Sequence, residues 1–168
     1  ENIAISNRTG TVKVFYLNPE DIEELKLPYW ARGCNSIGKP HPTMFKLLTH
    51  LFGKGGKDYI KEAEVKVERI KTVLDRHNIT SIDELKIDTE GHDTVILNDY
   101  LDTVDFLPDK IIFEANDLSS ITELNKTINK LKRKGYRTKK YKNDIIATLK
   151  WLLPTLPQYK HVKKIYNK

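Results

Sequence analysis

Patterns typical of strands and helices alternate through residues 63–149, and this alternation constrains the fold more than any other feature of the chain. Alternating apolar and polar residues predict strands, and apolar residues three to four positions apart predict helices. A series of this kind is typical of a doubly wound α/β sheet. In chain order, the predicted elements are strands at Ala63–Ile70, Leu85–Asp88, Lys110–Glu114, Tyr136–Tyr141 and Asp144–Leu149, and helices at Lys71–His77, His92–Leu101 and Ile121–Lys134.

Local signals support several of these elements. Ser120 followed by Glu123 forms a capping box for the last helix, and Gly135 is a suitable residue to end it. The segment Lys110–Glu114 (KIIFE) is almost continuously apolar, as expected of a strand covered on both faces. Only Lys142–Asn143 joins the last two strands, which predicts an antiparallel hairpin.

The first 60 residues give weaker signals. Asn2–Ser6 and Thr11–Leu17 resemble strands, and the turn signal at Thr9–Gly10 predicts that they form a hairpin. Residues 18–60 are rich in proline, glycine and mixed charges and predict a variable loop region, with one short amphipathic helix at Met44–Phe52. We therefore predict one domain over residues 1–149, followed by a basic tail over residues 150–168.

Length and composition exclude several classes of protein. The chain has 168 residues, 39% hydrophobic and 31% charged, which is typical of one soluble domain. No apolar run approaches the roughly 18 residues of a membrane helix, and the first residues lack a signal-peptide pattern. Cys34 is the only cysteine, so a disulfide framework is excluded and a reducing, cytoplasmic location is expected. We interpret its thiol as a small packed side chain rather than a nucleophile.

Charge is distributed unevenly along the chain. Residues 126–168 contain 14 of the 29 lysines and arginines and a single acid, Asp144. Such asymmetry is found in nucleic-acid-binding and membrane-binding proteins. It is also typical of the solvated face of a lysine-rich helix, which we favour because the aromatic residues of this stretch lack the spacing of a base-stacking surface.

Polar residues follow two of the predicted strands at the point where each strand ends. Asp88 to Asp93 follow the strand that begins at Leu85, and Glu114 ends the strand that begins at Lys110. In open α/β sheets, ligands bind beyond the carboxyl ends of the strands. Gly91 suits a tight turn and allows close approach of a ligand to the backbone. The alternative is purely structural, with Asp88 or Asp93 capping a helix.

The segment LKIDTEGHDTVIL (residues 85–97) closely resembles the central signature of FkbM-type methyltransferases. Other segments resemble parts of that family in the same order: ENIAIS with the following GTVKVFY strand, VKVERIKTVLDRHNI, KIIFEAN and LKRKGY. The resemblance covers residues 1–149. It implies a class I methyltransferase (Rossmann-like) fold, a doubly wound sheet with a C-terminal antiparallel hairpin. The implied reaction is methyl transfer from S-adenosylmethionine, usually to a hydroxyl oxygen.

Two parts of the family pattern have no counterpart in this sequence. They are the first strand with its glycine-rich turn and the second strand, whose acid holds the cofactor ribose. Gly53, Gly55 and Gly56 follow no predicted strand. We therefore expect an N-terminally truncated version of the fold, which on its own would hold the cofactor weakly and be inactive.

The resemblance implies roles for individual residues. The implied cofactor-binding residues are Ile5 and Ser6, beside the adenine, and Asp88 and Thr89, beside the methionine portion. The implied catalytic residues are Glu90, His92 and Asp88, among which Glu90 and His92 are candidates to orient or deprotonate an acceptor hydroxyl. The implied substrate-binding residues are Trp30, Asn35 and Ser36, in a loop that resembles a variable stretch of the family, and Glu114.

A metal site is not expected. The five histidines show no paired ligand spacing, and a second cysteine is lacking; a shared Mg²⁺ between Asp88 and Glu114 is a less favoured alternative. The predicted partner is a small-molecule or glycan-linked acceptor such as a sugar. Two other functions remain open from the sequence, a nucleic-acid-binding module using the basic stretch and a methyltransferase-like scaffold without catalysis.

Overall fold

The computed structural model describes residues 1–116 and 118–149, which form eight strands and five α-helices. The strands are β1 (Ala4–Ser6), β2 (Gly10–Leu17), β3 (Ser36–Ile37), β4 (Ile60–Arg69), β5 (Glu84–Ile87), β6 (Lys110–Glu114), β7 (Tyr136–Tyr141) and β8 (Asp144–Leu149). The helices are α1 (Pro19–Glu24), α2 (Pro42–Phe52), α3 (Ile70–Arg76), α4 (Asp93–Thr103) and α5 (Ile121–Arg133). The predictions for the basic tail lie outside the described residues.

The first sheet has the strand order β1-β4-β2-β3. The predicted hairpin of β1 and β2 is wrong, because β4 lies between them, parallel to β1 and antiparallel to β2. The reason is strand length: β2 pairs with β4 along its whole length, from Gly10 opposite Val67 to Leu17 opposite Ile60. The three residues of β1 offer β2 far fewer hydrogen bonds than the ten residues of β4.

The second sheet has the order β5-β6-β8-β7 and contains the elements that the sequence predicted best. The strands β5 and β6 are parallel, and β8 runs antiparallel to β6. The strands β7 and β8 form the predicted antiparallel hairpin, with Lys142 at a φ of 54° in its turn. The predicted cap of α5 is confirmed, since the Ser120 hydroxyl accepts a hydrogen bond from the Glu123 amide at 3.5 Å.

The main core lies on one face of the second sheet. Ile87, Ile111 and Phe113 are buried there against Leu97 of α4 and Leu131 of α5. On the opposite face Lys86 is exposed, and Ile112 and Ile146 are only half-buried.

The expected α/β class is observed, but the described strands do not form the single doubly wound sheet, with Lys110–Glu114 covered on both faces, that the sequence predicted. Within residues 1–116 and 118–149 there are two mixed four-stranded sheets, and the core of the second is on one side. The apolar character of β6 is explained by its central position between β5 and β8 rather than by two covered faces.

The predicted loop region contains more regular structure than its composition suggests. Pro19 and Pro42 lie in the first turns of α1 and α2, where proline's fixed φ favours helix initiation. Two short 3₁₀ helices lie at Tyr29–Gly33 and Gly53–Tyr59. A second core holds this region together, formed by Leu17, Ile22, Leu27, Ala31, Cys34, Met44 and Leu48. The predicted helix at Met44–Phe52 is confirmed and begins two residues earlier, at Pro42.

Among the described residues, no helix combines the length and the apolar character needed to cross a membrane.

Candidate functional site

The chain makes a sharp turn between the end of β5 at Ile87 and the start of α4 at Asp93. Glu90 has a φ of 52° and Gly91 a φ of 96°, so two consecutive residues lie in the left-handed region. That conformation is costly for a side-chain-bearing residue and is concentrated at functional sites. Gly91 also lies close to Leu118, since a Cβ built on Gly91 would be 2.9 Å from the Leu118 Cβ. The turn therefore requires glycine at position 91 and holds Glu90 in an unusual conformation.

Asp93 fixes this turn to the neighbouring strand. Its carboxylate is fully buried and accepts hydrogen bonds from the Thr89 amide at 3.3 Å, the Thr89 hydroxyl at 3.0 Å and the Glu114 amide at 3.1 Å. A buried carboxylate is stable only when such donors satisfy it. Asp93 thus sets the relative positions of Glu114 and the residues of the turn. The sequence predicted Asp93 only as a possible helix cap. The spacing of four residues between Thr89 and Asp93 is the sequence feature that could have indicated their contact.

Glu90 pairs with a histidine that the sequence did not single out. The Nε2 of His41 lies 3.1 Å from the Glu90 Oε2, and the histidine side chain is 5% exposed against 26% for the carboxylate. The other ring nitrogen of His41, Nδ1, is buried and has no hydrogen-bond partner among the described residues. The pair joins the N-terminal end of α2 to the turn after β5.

Glu114 ends β6 beside the turn, and its surroundings disfavour the ionised form of its side chain. Its Oε2 is buried without a hydrogen-bond partner among the described residues. Burial raises the pKa of this carboxyl above its ordinary value, and the negative charges of Glu90, Asp93 and Asp88 raise it further. The electrostatic field at the end of β6 is therefore negative and favours a positively charged group.

His92, predicted as a possible base, contacts Ser6, predicted to lie beside the adenine. The Ser6 Oγ is 2.9 Å from the His92 Nε2. Burial is the main reason that the pKa of His92 is lowered, so its neutral form is favoured. Ile5, next to Ser6, is half-buried and packs against the core of the second sheet. The structure thus brings Ile5, Ser6 and His92 together at the junction of the two sheets.

Three further predicted site residues are Asp88, Asn35 and Ser36. The Asp88 side chain is 55% exposed, and its Oδ2 lies 3.2 Å from the Lys86 Nζ. Asn35 is exposed, and the Ser36 hydroxyl donates a hydrogen bond to the Lys39 carbonyl at 2.7 Å. The proposed roles of these three residues stay predictions.

A cavity of about 290 Å³ lies between the loop region and the turn. Its lining residues are Trp30, Cys34, His41, Thr43, Glu90, Asn116 and Leu118. Trp30 is 47% exposed, so an indole forms part of the rim, while His41 provides a buried polar group and Glu90 a half-buried one. This combination of apolar walls with few convergent polar groups is typical of small-ligand sites.

Cys34 is a packed lining residue rather than a reactive thiol. It is 5% exposed, and its thiol donates to the Trp30 carbonyl at 3.7 Å. Burial raises the pKa of the Cys34 thiol to about 11, with Glu90 contributing. A thiol of this kind is protonated near neutral pH and therefore a poor nucleophile.

A second hollow on the surface does not form a site. A hollow of about 470 Å³ is bordered by Lys126, Asn129, Lys132 and Arg133. All four belong to α5, so one helix face forms the whole border and the hollow is an open surface. The described residues also contain no group of three or more His, Cys, Asp or Glu side chains arranged to hold a metal ion.

Comparison with known proteins gives one match. A family model described as "Methyltransferase FkbM domain" matches residues 1–138. The matched range includes β5, the turn with Glu90 and Gly91, β6 and α5. No curated protein and no solved structure matches the chain.

Proposed function

The chain belongs to the FkbM methyltransferase family, and from this premise we propose that it transfers a methyl group from S-adenosylmethionine to a hydroxyl oxygen of a sugar or another small metabolite. The observation that carries the proposal is that Glu90 and Asn116, which follow the carboxyl ends of β5 and β6, line one cavity, and that Glu114 lies close enough to Glu90 for the Glu90 charge to raise its pKa. Ligands of open α/β sheets bind at this edge.

The residues at this edge fit the proposed methyl donor. S-adenosylmethionine carries a sulfonium and an ammonium group, and both need negatively charged or electron-rich neighbours. The Oε2 of Glu114, which has no hydrogen-bond partner among the described residues, is such a neighbour, because a cation would offset the burial and the repulsion that together raise the pKa of this carboxyl. We assign Asp88 and Thr89 to the methionine portion and Ile5 and Ser6 to the adenine, as the resemblance implied. Glu114, which the resemblance assigned to the substrate, we assign instead to the methionine portion because of its unsatisfied carboxylate.

The transfer reaction has simple requirements. When bound, S-adenosylmethionine supplies an activated methyl group: the S–CH₃ bond breaks with its electron pair remaining on sulfur while a lone pair of the acceptor oxygen forms the O–CH₃ bond, so the hydroxyl proton has to leave. Holding the reacting groups in line contributes much of the acceleration, and removing the proton with a positioned base contributes about 10²–10⁴-fold more.

The protein's own residues meet these requirements at the cavity. Trp30 and Leu118 form apolar walls against which the acceptor packs. Glu90 and His41 provide polar groups that orient the acceptor hydroxyl. Asp93 keeps the turn and Glu114 at a fixed separation, so that donor and acceptor stay aligned.

The proposal is tested by calorimetric titration of the full chain with S-adenosylhomocysteine, the demethylated product. We expect weak but saturable binding, as the sequence resemblance implies, and a further loss of roughly 10- to 100-fold in Glu114→Gln, because hydrogen bonds to charged groups contribute about 1.5–3 kcal/mol. Glu64→Gln, which neutralises an exposed carboxylate of β4, is the matched control and should bind as the wild type does. Absence of saturable heat with the wild-type chain, or equal affinity of all three proteins, would contradict the proposed donor site.

A further inference from the structure

His41 is held rigidly at the wall of the cavity. It lies between Pro40 and Pro42, and its ψ of 124° lies in the extended range that a following proline imposes. The residue is 4% exposed. Its backbone therefore has little freedom, and its imidazole ring is fixed between the start of α2 and Glu90.

The hydrogen bond to Glu90 determines which ring nitrogen carries the proton. A carboxylate only accepts hydrogen bonds, so the neutral His41 ring donates from Nε2–H, at an Nε2–Oε2 distance of 3.1 Å. Nδ1 then has a free lone pair. This nitrogen is buried and has no partner among the described residues, and an unsatisfied buried acceptor of this kind is unfavourable.

A hydroxyl group is the donor that suits this nitrogen. Nδ1 belongs to a ring that lines the cavity together with Thr43, Asn116 and Trp30. Nδ1 itself is buried beside the cavity, so an alcohol entering the cavity reaches it only when a neighbouring lining side chain moves aside; the hydroxyl then donates to Nδ1 and satisfies its lone pair. The carbon skeleton of the alcohol would pack against the indole, and its other hydroxyls would find partners on Thr43 and Asn116.

Resting on the proposed function, we infer that His41 is the catalytic base that receives the proton of the acceptor hydroxyl at Nδ1. The O–H bond breaks as the oxygen acquires its methyl group, and the proton forms an N–H bond at Nδ1. Glu90 is a positioning residue: it fixes the Nε2–H tautomer and stabilises the resulting imidazolium, which later releases the proton to water. This carboxylate–histidine–hydroxyl arrangement follows the general logic of an activated hydroxyl.

The assignment differs from the base suggested by the sequence. His92 lies in the signature segment, but its Nε2 is bonded to the Ser6 hydroxyl, on the β1 side of the turn, and His92 does not line the cavity. Glu90 lines the cavity, but its Oε2 is bonded to His41. Of these three side chains, His41 combines a place in the cavity wall with an unpaired, proton-accepting atom.

The test compares His41→Ala with His50→Ala, which removes an exposed histidine of the same helix, α2. Transfer is measured with labelled S-adenosylmethionine and methyl α-D-mannopyranoside as a polyhydroxyl probe, in long incubations with a high concentration of the chain, because only slow transfer is expected of a chain that holds the cofactor weakly. We expect His41→Ala to lower kcat about 10²–10⁴-fold, imidazole in the buffer to restore part of it, and S-adenosylhomocysteine affinity to be unchanged. His50→Ala should match the wild type in all three measurements.

A second readout does not depend on turnover. Nitrogen NMR of the ¹⁵N-histidine-labelled chain reports the tautomer of each ring, with the His41 signals identified by their loss in His41→Ala. We expect Nε2–H with an unprotonated Nδ1 in the wild type, a shift of the Nδ1 signal when S-adenosylhomocysteine and the probe are added, and loss of the fixed tautomer in Glu90→Gln.

The outcomes separate this inference from the proposed function. No binding of S-adenosylhomocysteine by the wild-type chain would overturn both. Normal binding with an Nδ1–H tautomer, or with an Nδ1 signal that does not respond to the probe, would overturn the role of His41 alone. Loss of transfer in His41→Ala without rescue by imidazole and with a lowered Tm would also overturn it, since that result indicates a structural role.

Discussion

Replacing Gly91 with alanine tests whether the turn after β5 has the conformation described above. The substitution adds a methyl group to a residue with a φ of 96°. The new Cβ would lie 2.9 Å from the Leu118 Cβ and 3.3 Å from the Leu118 carbonyl oxygen. Both contacts are shorter than ordinary van der Waals contacts, and part of the obstacle is backbone, which cannot rotate away.

Two contributions set the expected magnitude. Placing a residue with a Cβ in the left-handed region costs about 1–2 kcal/mol. Forcing an extra methyl group into a packed region costs about 1–3 kcal/mol more. We therefore expect Gly91→Ala to lower the free energy of unfolding by roughly 2–5 kcal/mol, or the Tm by about 2–4 °C for each of these kcal/mol.

Gly135 offers a matched control for this experiment. It has the same φ of 96°, but a Cβ added there would meet nothing closer than the Leu149 Cδ2 at 4.0 Å. Gly135→Ala should thus show only the backbone contribution of about 1–2 kcal/mol. Urea unfolding of the three proteins, followed by circular dichroism, gives the comparison.

The difference between the two variants isolates the contact with Leu118. Adding Leu118→Gly to Gly91→Ala removes the obstructing Cβ and should recover part of the difference. If Gly91→Ala were no more destabilised than Gly135→Ala, the close approach of the turn to Leu118 would be refuted.

Three further predictions concern other parts of the molecule. Burial and nearby carboxylates raise the pKa of Glu114 in the folded chain, so ionising this carboxyl costs stability. Glu114→Gln should therefore raise the Tm at pH 7 and lose this advantage as the pH falls below the ordinary value of 4.5, where wild-type Glu114 becomes protonated in both states. Arg69→Met leaves the buried Asp99 carboxylate without the Nε and Nη2 donors that bind it, and should lower the Tm more than Lys71→Met, which breaks an exposed ion pair. Leu97→Ala removes a fully buried side chain of α4 and should lower the free energy of unfolding by about 2–5 kcal/mol.

Controls make these predictions specific. Glu64→Gln should show no comparable pH-dependent gain, and an equal gain for Glu114→Gln at pH 7 and near pH 4 would contradict the raised pKa. Leu51→Ala removes a leucine that is 49% exposed and should cost far less than Leu97→Ala. Equal costs for the two leucines would mean that α4 is not packed as described.

Local sequence patterns predicted the second half of the chain well. The strands β5, β6, β7 and β8 and the helices α4 and α5 all occur within a few residues of their predicted positions. Their periodicity and caps are local signals, and the β7–β8 hairpin depends only on the two residues between its strands. The first sheet was less predictable because β2 pairs with β4, about 50 residues further along the chain. No local pattern identifies a partner at that distance.

The candidate site was predicted in part. The signature segment indicated Glu90, and the structure places it at the cavity. His41 was missed because a histidine in a proline-rich segment resembles an ordinary loop residue. The available signal was the proline on each side of it, which restricts the backbone and so can fix a side chain. Its partner, on the turn after β5, could be identified only from the folded chain.

The hydrogen bonds Ser6–His92 and His41–Glu90 each join the N-terminal part of the chain to the turn that follows β5. A ligand bound between these groups would therefore link the two sheets, and its binding free energy would stabilise both of them against opening. Backbone amides of β2 and β6, which belong to different sheets, should then gain protection from hydrogen exchange together when the cavity is filled. In this arrangement, occupancy of the site governs the cooperativity with which the two sheets open.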